Sequence, residues 1–475
     1  MANASIDGRF RDFEMTSDDL QPTSAGTPLW FLIAMMSLVT GTAFVFLFLG
    51  RWTAPGANLP EDELKILSQA YEYIDRDYIY DLPEDRRREL LEQAVAAMVK
   101  GLPDKYSTYI PPRDIENYNR RTRGVMTGIG VVVVTVDSQV VVLYPHPGGP
   151  AEHANLQVGD VVTAAHGQPV SNSQELVDRA RGEAGSAVRL TIQRGAADPF
   201  DVEVNRASVS LPSVKWARIL DRDAGIGYLY LESFDENCAE EVDAALQELE
   251  RAHGRRLSGL VLDLRHNSGG LLDSCLELTN RFIFEGTMVT LKRRNLLDAV
   301  HIADPAKCTH RDLPLVLILD ELSASATEVL AGALQDHGRA RVVGTRSYGK
   351  GVVQNVFSWE GRKLKLTTSY YLTPNGRNIE NELRPEAERG TGGIIPDRTA
   401  EFSSQQDANL AVVLLSRNEV PTEYSAAVED LRASNERITI HRPLEAEQDV
   451  QLAAALEEIA KMLADGKRPS RDKDK

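Results

Sequence analysis

The sequence predicts an α/β core preceded by a small strand-rich module, a helical module and one transmembrane helix. Three observations predict it. From about Arg206 onward, short runs of continuous apolar residues alternate with helical periods. Between about 126 and 200, strand patterns recur with Gly-rich turns and without a long helical period. From Leu29 to Leu49 the chain reads LWFLIAMMSLVTGTAFVFLFL, without a single charge.

The apolar run comes first. At about 1.5 Å per residue, a helix of that length spans roughly 30 Å, the thickness of a bilayer's hydrocarbon core. A buried helix of a soluble protein and a cleaved signal peptide are the alternatives. The polar stretch 1–28 ahead of the run, its length, and the lack of an A-x-A site after it favour an anchor at 29–50. Arg9 and Arg11 precede the span and Arg51 follows it, so charge leaves the orientation open.

Residues 51–60 (RWTAPGANLP) read as a linker. The helical module, 56–125, holds EDELKILSQAYEYIDRDYI and EDRRRELLEQAVAAMVKGL on either side of a proline break, and leads to YSTYIPP. The β module, 126–200, starts with GIGVVVVTV and VVLYPHPGG and ends with SQELVDRARG, a helix, and AVRLTIQRG, a strand. The α/β core, 206–400, pairs GIGYLYL with EVDAALQELERA, LSGLVLDLR with LLDSCLELTNRFI, and PLVLILD with ATEVLAGALQ. In the first of these helices Val242, Ala245, Leu246 and Leu249 share one face. The core ends on KLKLTTSYYLT, an alternating strand. The extension 401–475 shows one convincing helix, DVQLAAALEEIAKML, and a charged tail, GKRPSRDKDK, of disorder-prone composition.

A chain of 475 residues with 42% hydrophobic content can bury a large core in about three domains. The net charge of −17 argues against nonspecific attraction to nucleic acid or anionic lipid. Cys238, Cys275 and Cys308 show no CxxC spacing, and their odd number excludes a full disulfide framework. Cys275 falls on an apolar helical face with Leu272 and Leu276, as a core residue would. The histidines form no HExxH pattern; Cys308 and His310 are close in sequence but have no second pair, so no metal site is expected.

Three segments carry candidate chemistry. The strand PLVLILD runs into ELSASATEVLAGALQ, which places Ser323 and Ser325 where a buried strand becomes a helix. A hydroxyl there meets free backbone N–H groups and the positive end of the helix dipole, which suits a nucleophile. Helix capping is the plainer alternative, because Glu328 completes a capping box with Ser325. Lys350, between Gly349 and Gly351, is oddly placed for a solvated lysine. Burial would depress its pKa, and a neutral amine can take a serine proton. A surface loop lysine is the alternative. In LDLRHNSGG, Gly269 and Gly270 allow a carbonyl oxygen to approach backbone N–H groups, or else merely form a tight turn.

Two competing motifs fail. GTRSYGK, 344–350, fills a P-loop pattern, but Gly351 stands where a Mg²⁺-binding Ser or Thr is needed and GVVQNVF reads as strand. His337 lies 12 positions after Ser325, roughly 18 Å along a helix, so it cannot be that serine's base.

These residues resemble a known family. SASATEVLAGALQDHGRARVVGTRSYGKGVVQ is similar to the active-site region of the carboxyl-terminal processing peptidases, or tail-specific proteases. The resemblance implies Ser325 as nucleophile, Lys350 as general base 25 positions later, and Gln354 as the residue that orients the lysine. It implies an oxyanion hole from the amides of Gly269 and Ala326. YSTYIPPRD, GIGVVV, NLQVGDVV, KLTTSYYLTPNGRNI and GGIIPD extend the likeness, in order, over roughly 60–400. It further implies a crotonase/Clp-like layered core, and a PDZ domain at 126–200 whose Gly128, Ile129 and Gly130 receive a substrate's terminal carboxylate. Arg181 is a candidate contact between that domain and the core. An inner-membrane anchor with the catalytic part on the extracytoplasmic side is also implied. Leu322, Thr327, His266 and Ser268 depart from the family's usual Gly, Ser, Asn and Pro.

The expected function is a membrane-anchored serine endopeptidase that captures proteins by free C-terminal tails and cleaves them through an acyl-enzyme. A proteolytically silent, membrane-tethered PDZ adaptor is the alternative, opposed by the presence of every residue the chemistry needs. Partners are protein or peptide tails and membrane lipid, not nucleic acid, and the terminal helices are candidates for a homodimer contact.

Overall fold

The computed structural model describes residues 61–466 apart from 123–124, 211, 295, 385, 403–419, 436 and 439–447. The span expected at 29–50 and the charged tail from 467 lie outside these residues. Among the described residues, no helix is long and apolar enough to cross a membrane.

The chain divides into two compact units, 1–89 and 90–475. In the first, the helix Glu61–Asp77 buries none of its residues. Arg87, near the start of the helix Glu84–Lys100, pairs with Asp75 at 2.9 Å. The proline break expected between two helices falls at 78–83.

In the second unit, a six-stranded sheet runs Val214–Asp221, Ile226–Leu231, Gly259–Asp263, Leu315–Leu319, Arg341–Gly344, Arg398–Thr399. Its first pair is antiparallel and the others parallel. The central strands are apolar throughout because both faces are covered. Leu229, Leu262, Leu317 and Val342 pack under the helices Cys238–His253, Leu272–Phe282 and Ala326–Asp336. Tyr228, Val261, Ile318 and Val343 pack against Leu452, Ala455 and Ile459 of the helix Val450–Ala464. The helix expected in the extension is therefore a layer of the core.

A second sheet contains Thr108–Ile110, Thr287–Arg293, Ala299–Ile302 and the hairpin Val352–Trp359/Arg362–Leu372. The hairpin turns through Glu360 and Gly361, both at positive φ, the conformation that two-residue hairpins prefer.

The β module hangs on a two-stranded stem, in which Val125–Gly128 pairs antiparallel with Ala207–Ser210. Its six-stranded sheet and the helix Ser173–Ala180 enclose a core of Val140, Val142, Leu176, Leu190 and Ile192. Three described α-helices have no counterpart in the sequence reading: Ile115–Thr122, the single turn Pro150–His153 and Thr422–Ser434. Ile115–Thr122 has too few apolar residues for a stripe and Pro150–His153 is too short to show a period, whereas Tyr424, Val428 and Leu431 do stand at helical spacing in the last.

Candidate active site

The strand Leu315–Leu319 delivers the chain to a turn organised by Asp320. This buried carboxylate accepts the amides of His266 (2.9 Å), Leu322 (3.1 Å) and Ser323 (2.9 Å), and the Ser323 hydroxyl at 2.9 Å. Burial nonetheless pushes its pKa up. His266 Nε2 lies 3.2 Å from the same carboxylate, so this departure from the family pattern joins the 264–270 loop to the serine turn. Ser323, the other serine at the helix start, is wholly buried and donates to Leu264 O at 2.9 Å, which excludes it as the nucleophile.

Ser325 caps the helix Ala326–Asp336 at φ 59° and ψ −117°. Such a conformation costs a non-glycine residue about 1–3 kcal/mol and persists only where its surroundings hold it. Two groups hold it. Glu328, fully buried, accepts the Ser325 amide at 2.8 Å. Tyr371 places its hydroxyl 3.0 Å from Ser325 O and 2.7 Å from Lys350 O, its single proton shared between the two carbonyls.

The capping partner reaches further than the sequence reading assigned it. Glu328 also accepts the amides of Gly349 (2.7 Å) and Lys350 (2.8 Å) and the Ser347 hydroxyl (2.5 Å). Burial raises its pKa, and these donors oppose the rise. One carboxylate thus ties the serine turn to the lysine loop. A helix-start Glu is ordinary, and nothing in its spacing to 347–350 signals the second attachment.

Lys350 is bracketed by close packing: a Cβ at Gly351 would stand 2.4 Å from Glu380 N. Burial, followed by the charge of Lys365, lowers its pKa, against the opposing pull of Glu328 and Glu380. Its ammonium rests over the Tyr106 ring, 4.9 Å from the centroid. Among the described residues no hydrogen bond joins Nζ to Ser325 Oγ. Gln354 opens onto the same cavity, with its amide nitrogen given to Thr367 Oγ1 at 3.1 Å, on the neighbouring strand.

Gly269, at φ 104°, comes so near the serine that a Cβ there would lie 2.9 Å from Ser325 Cβ and 3.0 Å from Ala326 N. Only glycine fits. Its amide, the expected oxyanion donor, donates to Asn267 Oδ1 at 2.9 Å and is thus occupied in this structure. Cys275 is buried as expected, with Sγ 3.0 Å from Ala326 O. His337 is turned to Thr287 O at 2.7 Å, away from this chemistry.

Ser325, Lys350, Gly269, Ala326 and Gln354 line one cavity of about 480 Å³, whose walls include Leu271, Val329, Val352 and Tyr371. A hydroxyl, a partly desolvated lysine and backbone N–H groups converge there, a set suited to acyl transfer.

A second groove, of about 130 Å³, is lined by Gly128, Ile129 and Gly130 together with Val131, Leu176 and Ala180. It has the backbone loop, apolar floor and flanking helix that a terminal carboxylate and its side chain require. Arg181 lines this groove and lies 3.8 Å from Asp178.

Residues 225–399 match the model of Peptidase family S41 and residues 127–205 that of the PDZ domain. The chain is 30% identical to a probable CtpA-like serine protease of Staphylococcus saprophyticus, over 80% of this chain and 75% of that protein. It is 32% identical to the corresponding protein of Staphylococcus haemolyticus, over 78% and 69%. Among solved structures, the photosystem II D1 C-terminal processing protease is 28% identical, with a TM-score of 0.41, covering 71% of this chain and 93% of that one.

Proposed function

Because the chain belongs to the CtpA-like carboxyl-terminal processing peptidases of family S41, serine peptidases with a PDZ domain, we propose that it is an endopeptidase acting through a Ser325–Lys350 dyad. One observation carries this: a serine held at strained backbone geometry and a desolvated lysine line the same cavity, and one buried carboxylate fixes the backbone of both.

In the proposed reaction Ser325 Oγ attacks the scissile carbonyl carbon while its proton passes to the neutral Lys350 amine. The carbonyl oxygen, now anionic, takes the Ala326 N–H and that of Gly269 once Asn267 turns aside. The C–N bond breaks as the ammonium returns the proton to the leaving amine. Water then attacks the acyl-enzyme ester, giving its proton to the same amine, and Ser325 leaves as the hydroxyl. Gln354, on the wall of the same cavity, would orient the lysine.

The PDZ groove at Gly128–Ile129–Gly130 would hold the free C-terminal tail of an unfolded protein. Residues 29–50 would anchor the enzyme in the inner membrane with its catalytic part extracytoplasmic, a reading that rests on the uncharged run alone. A homodimer through the terminal helices is consistent with Leu64, Leu67 and Ile74, which lie exposed on the helix Glu61–Asp77.

The test compares full-length wild type with Ser325→Ala and Lys350→Ala on a labelled, unfolded casein. Both variants should stay folded and lose cleavage. Hydrolysis surviving in either would refute the dyad.

A further inference from the structure

Tyr106 stands in the loop between the helix Glu84–Lys100 and the strand Thr108–Ile110, outside every segment assigned to chemistry so far. Its position is built. Asp104 accepts the Tyr106 amide at 2.9 Å, and the next residue, Ser107, accepts the Thr367 amide at 3.0 Å. The following strand pairs with the strand Arg362–Leu372 through Thr108 and Lys365. Lys350 is held from the other side of that long strand, since Val352 pairs with Tyr370. Ring and ammonium are thus registered on one piece of backbone, with the ring face 4.9 Å from Nζ.

A cation over an aromatic face is stabilised by the ring quadrupole, more strongly where water is excluded. Lys105 lies over the same ring at 5.2 Å, but its charge is met by Glu382 at 2.6 Å. Lys350 has no such counter-ion in hydrogen-bond contact among the described residues. We propose that Tyr106 is a positioning residue for the base: its ring holds the Lys350 ammonium clear of Ser325 in the substrate-free enzyme and favours the charged form. The proposal rests on Lys350 being the base. A peptide entering the cavity would then have to draw the lysine from the ring before attack, so activation and substrate arrival are linked.

The other charges that act on Lys350 are Lys365 from the long strand, Glu328 from the serine helix, Glu380 from the loop beyond that strand, and Lys105 beside Tyr106. None is removed by a change at 106, so the ring's effect can be isolated. The experiment measures kcat/KM against pH, which reports the substrate-free enzyme, for the full chain with labelled casein, in wild type, Tyr106→Phe, Tyr106→Leu and a pentafluorophenylalanine substitution at 106. Phe keeps the ring face and should keep the midpoint of the acidic limb. Leu and the fluorinated ring keep apolar cover but remove the attraction. Each should move the midpoint to lower pH by about half a unit to one and a half units. Lys105→Met, which removes a repelling charge, should move it the other way.

A structural role alone would lower kcat/KM without moving the midpoint, and unshifted midpoints in both ring-deficient forms would overturn the proposal. Should Leu fail to fold, the fluorinated ring, nearly the same shape, decides by itself. Activity retained by Lys350→Ala would sink the dyad and this inference together. Loss of activity there with unmoved midpoints at 106 sinks the inference alone.

Discussion

Glu328 Oε2 accepts the backbone N–H of Lys350 at 2.8 Å, and the same oxygen accepts that of Ser325 at 2.8 Å. The distance between the serine turn and the lysine loop is therefore set by one carboxylate that touches no substrate. Gln in its place would present an NH₂ donor to groups that are donors themselves. Ala would leave several buried amides unpaired, at about 1–3 kcal/mol each. Misplacement of reacting groups by about 1 Å can cost ~10²-fold in rate. Glu328→Gln is therefore expected to lower kcat on casein by roughly that factor, with KM little altered. Steady-state kinetics within twofold of wild type would show that the clamp is dispensable.

The lowered pKa of Lys350 makes a second prediction, on stability. Burial disfavours the ammonium in the folded chain, whereas the unfolded lysine titrates near 10.4, roughly the ordinary value. Below the folded-state pKa, both states are protonated and the buried charge destabilises the fold. As pH rises from the folded pKa toward that of the unfolded chain, the unfolded state binds more protons, so the penalty is relieved. Lys350→Met should melt at a higher temperature than wild type at pH 7, and the gap should close as pH approaches 10. A gap that stays constant across this range would contradict a desolvated lysine.

Much of the core was legible because its physics is local. Continuous apolar strands such as Leu315–Leu319 announce a sheet covered on both faces, and the turn from that strand into the helix at Ala326 places Ser325. What sequence could not reveal depends on pairing across the chain. Glu328 looks like a capping residue until the lysine loop folds onto it. Gly269 looks like a free donor until Asn267 is seen to occupy its amide. The helix Val450–Ala464 was recognisable from its period, but its partners, Tyr228, Val261 and Ile318, lie roughly 130 to 230 residues upstream on alternate positions of central strands. No local pattern connects them.

That same helix is pinned by a buried charge cluster. Arg265, 1% exposed, meets Asp263 and the Asp449 carboxylate, the latter at 2.8 Å, while Tyr228 donates to Asp263 at 2.8 Å. Asp449 also accepts the first helical amides of the helix, from Gln451 and Leu452. Removing one member of a buried ion cluster strands the others, at about 3–5 kcal/mol. Asp449→Ala should lose about that much in urea denaturation and release the second face of the sheet. Asp449→Asn, which keeps an acceptor for the cap, should lose less. Equal stability of Asp449→Ala and wild type would mean that Arg265 finds compensation elsewhere.

The remaining described helix beyond 420, Thr422–Ser434, packs on the PDZ domain rather than on the catalytic sheet. Tyr424 stacks on Tyr144 with ring centroids 6.1 Å apart and planes inclined by 16°, and its hydroxyl bonds to Glu152. Glu152 in turn accepts the Gly148 amide at 2.7 Å, and Arg437 pairs with Asp137 on the tip of the adjoining strand pair. Tyr144 also contacts His146 edge-on, and His146 lines the groove at Gly128, Ile129 and Gly130. The helix thus braces the back of the groove through the strand Gln139–Pro145. Aromatic stacking of this kind contributes about 0.5–1.5 kcal/mol beyond the area it covers. Tyr424→Ala should speed amide hydrogen exchange in 139–145 severalfold while leaving exchange in 315–319 unchanged. It should also weaken binding of a tail peptide measured with Ser325→Ala as a non-cleaving background. Tyr424→Phe, which keeps the stack and loses only the Glu152 bond, should fall between the two. Exchange in 139–145 indistinguishable from wild type in Tyr424→Ala would show that the PDZ sheet stands without this helix.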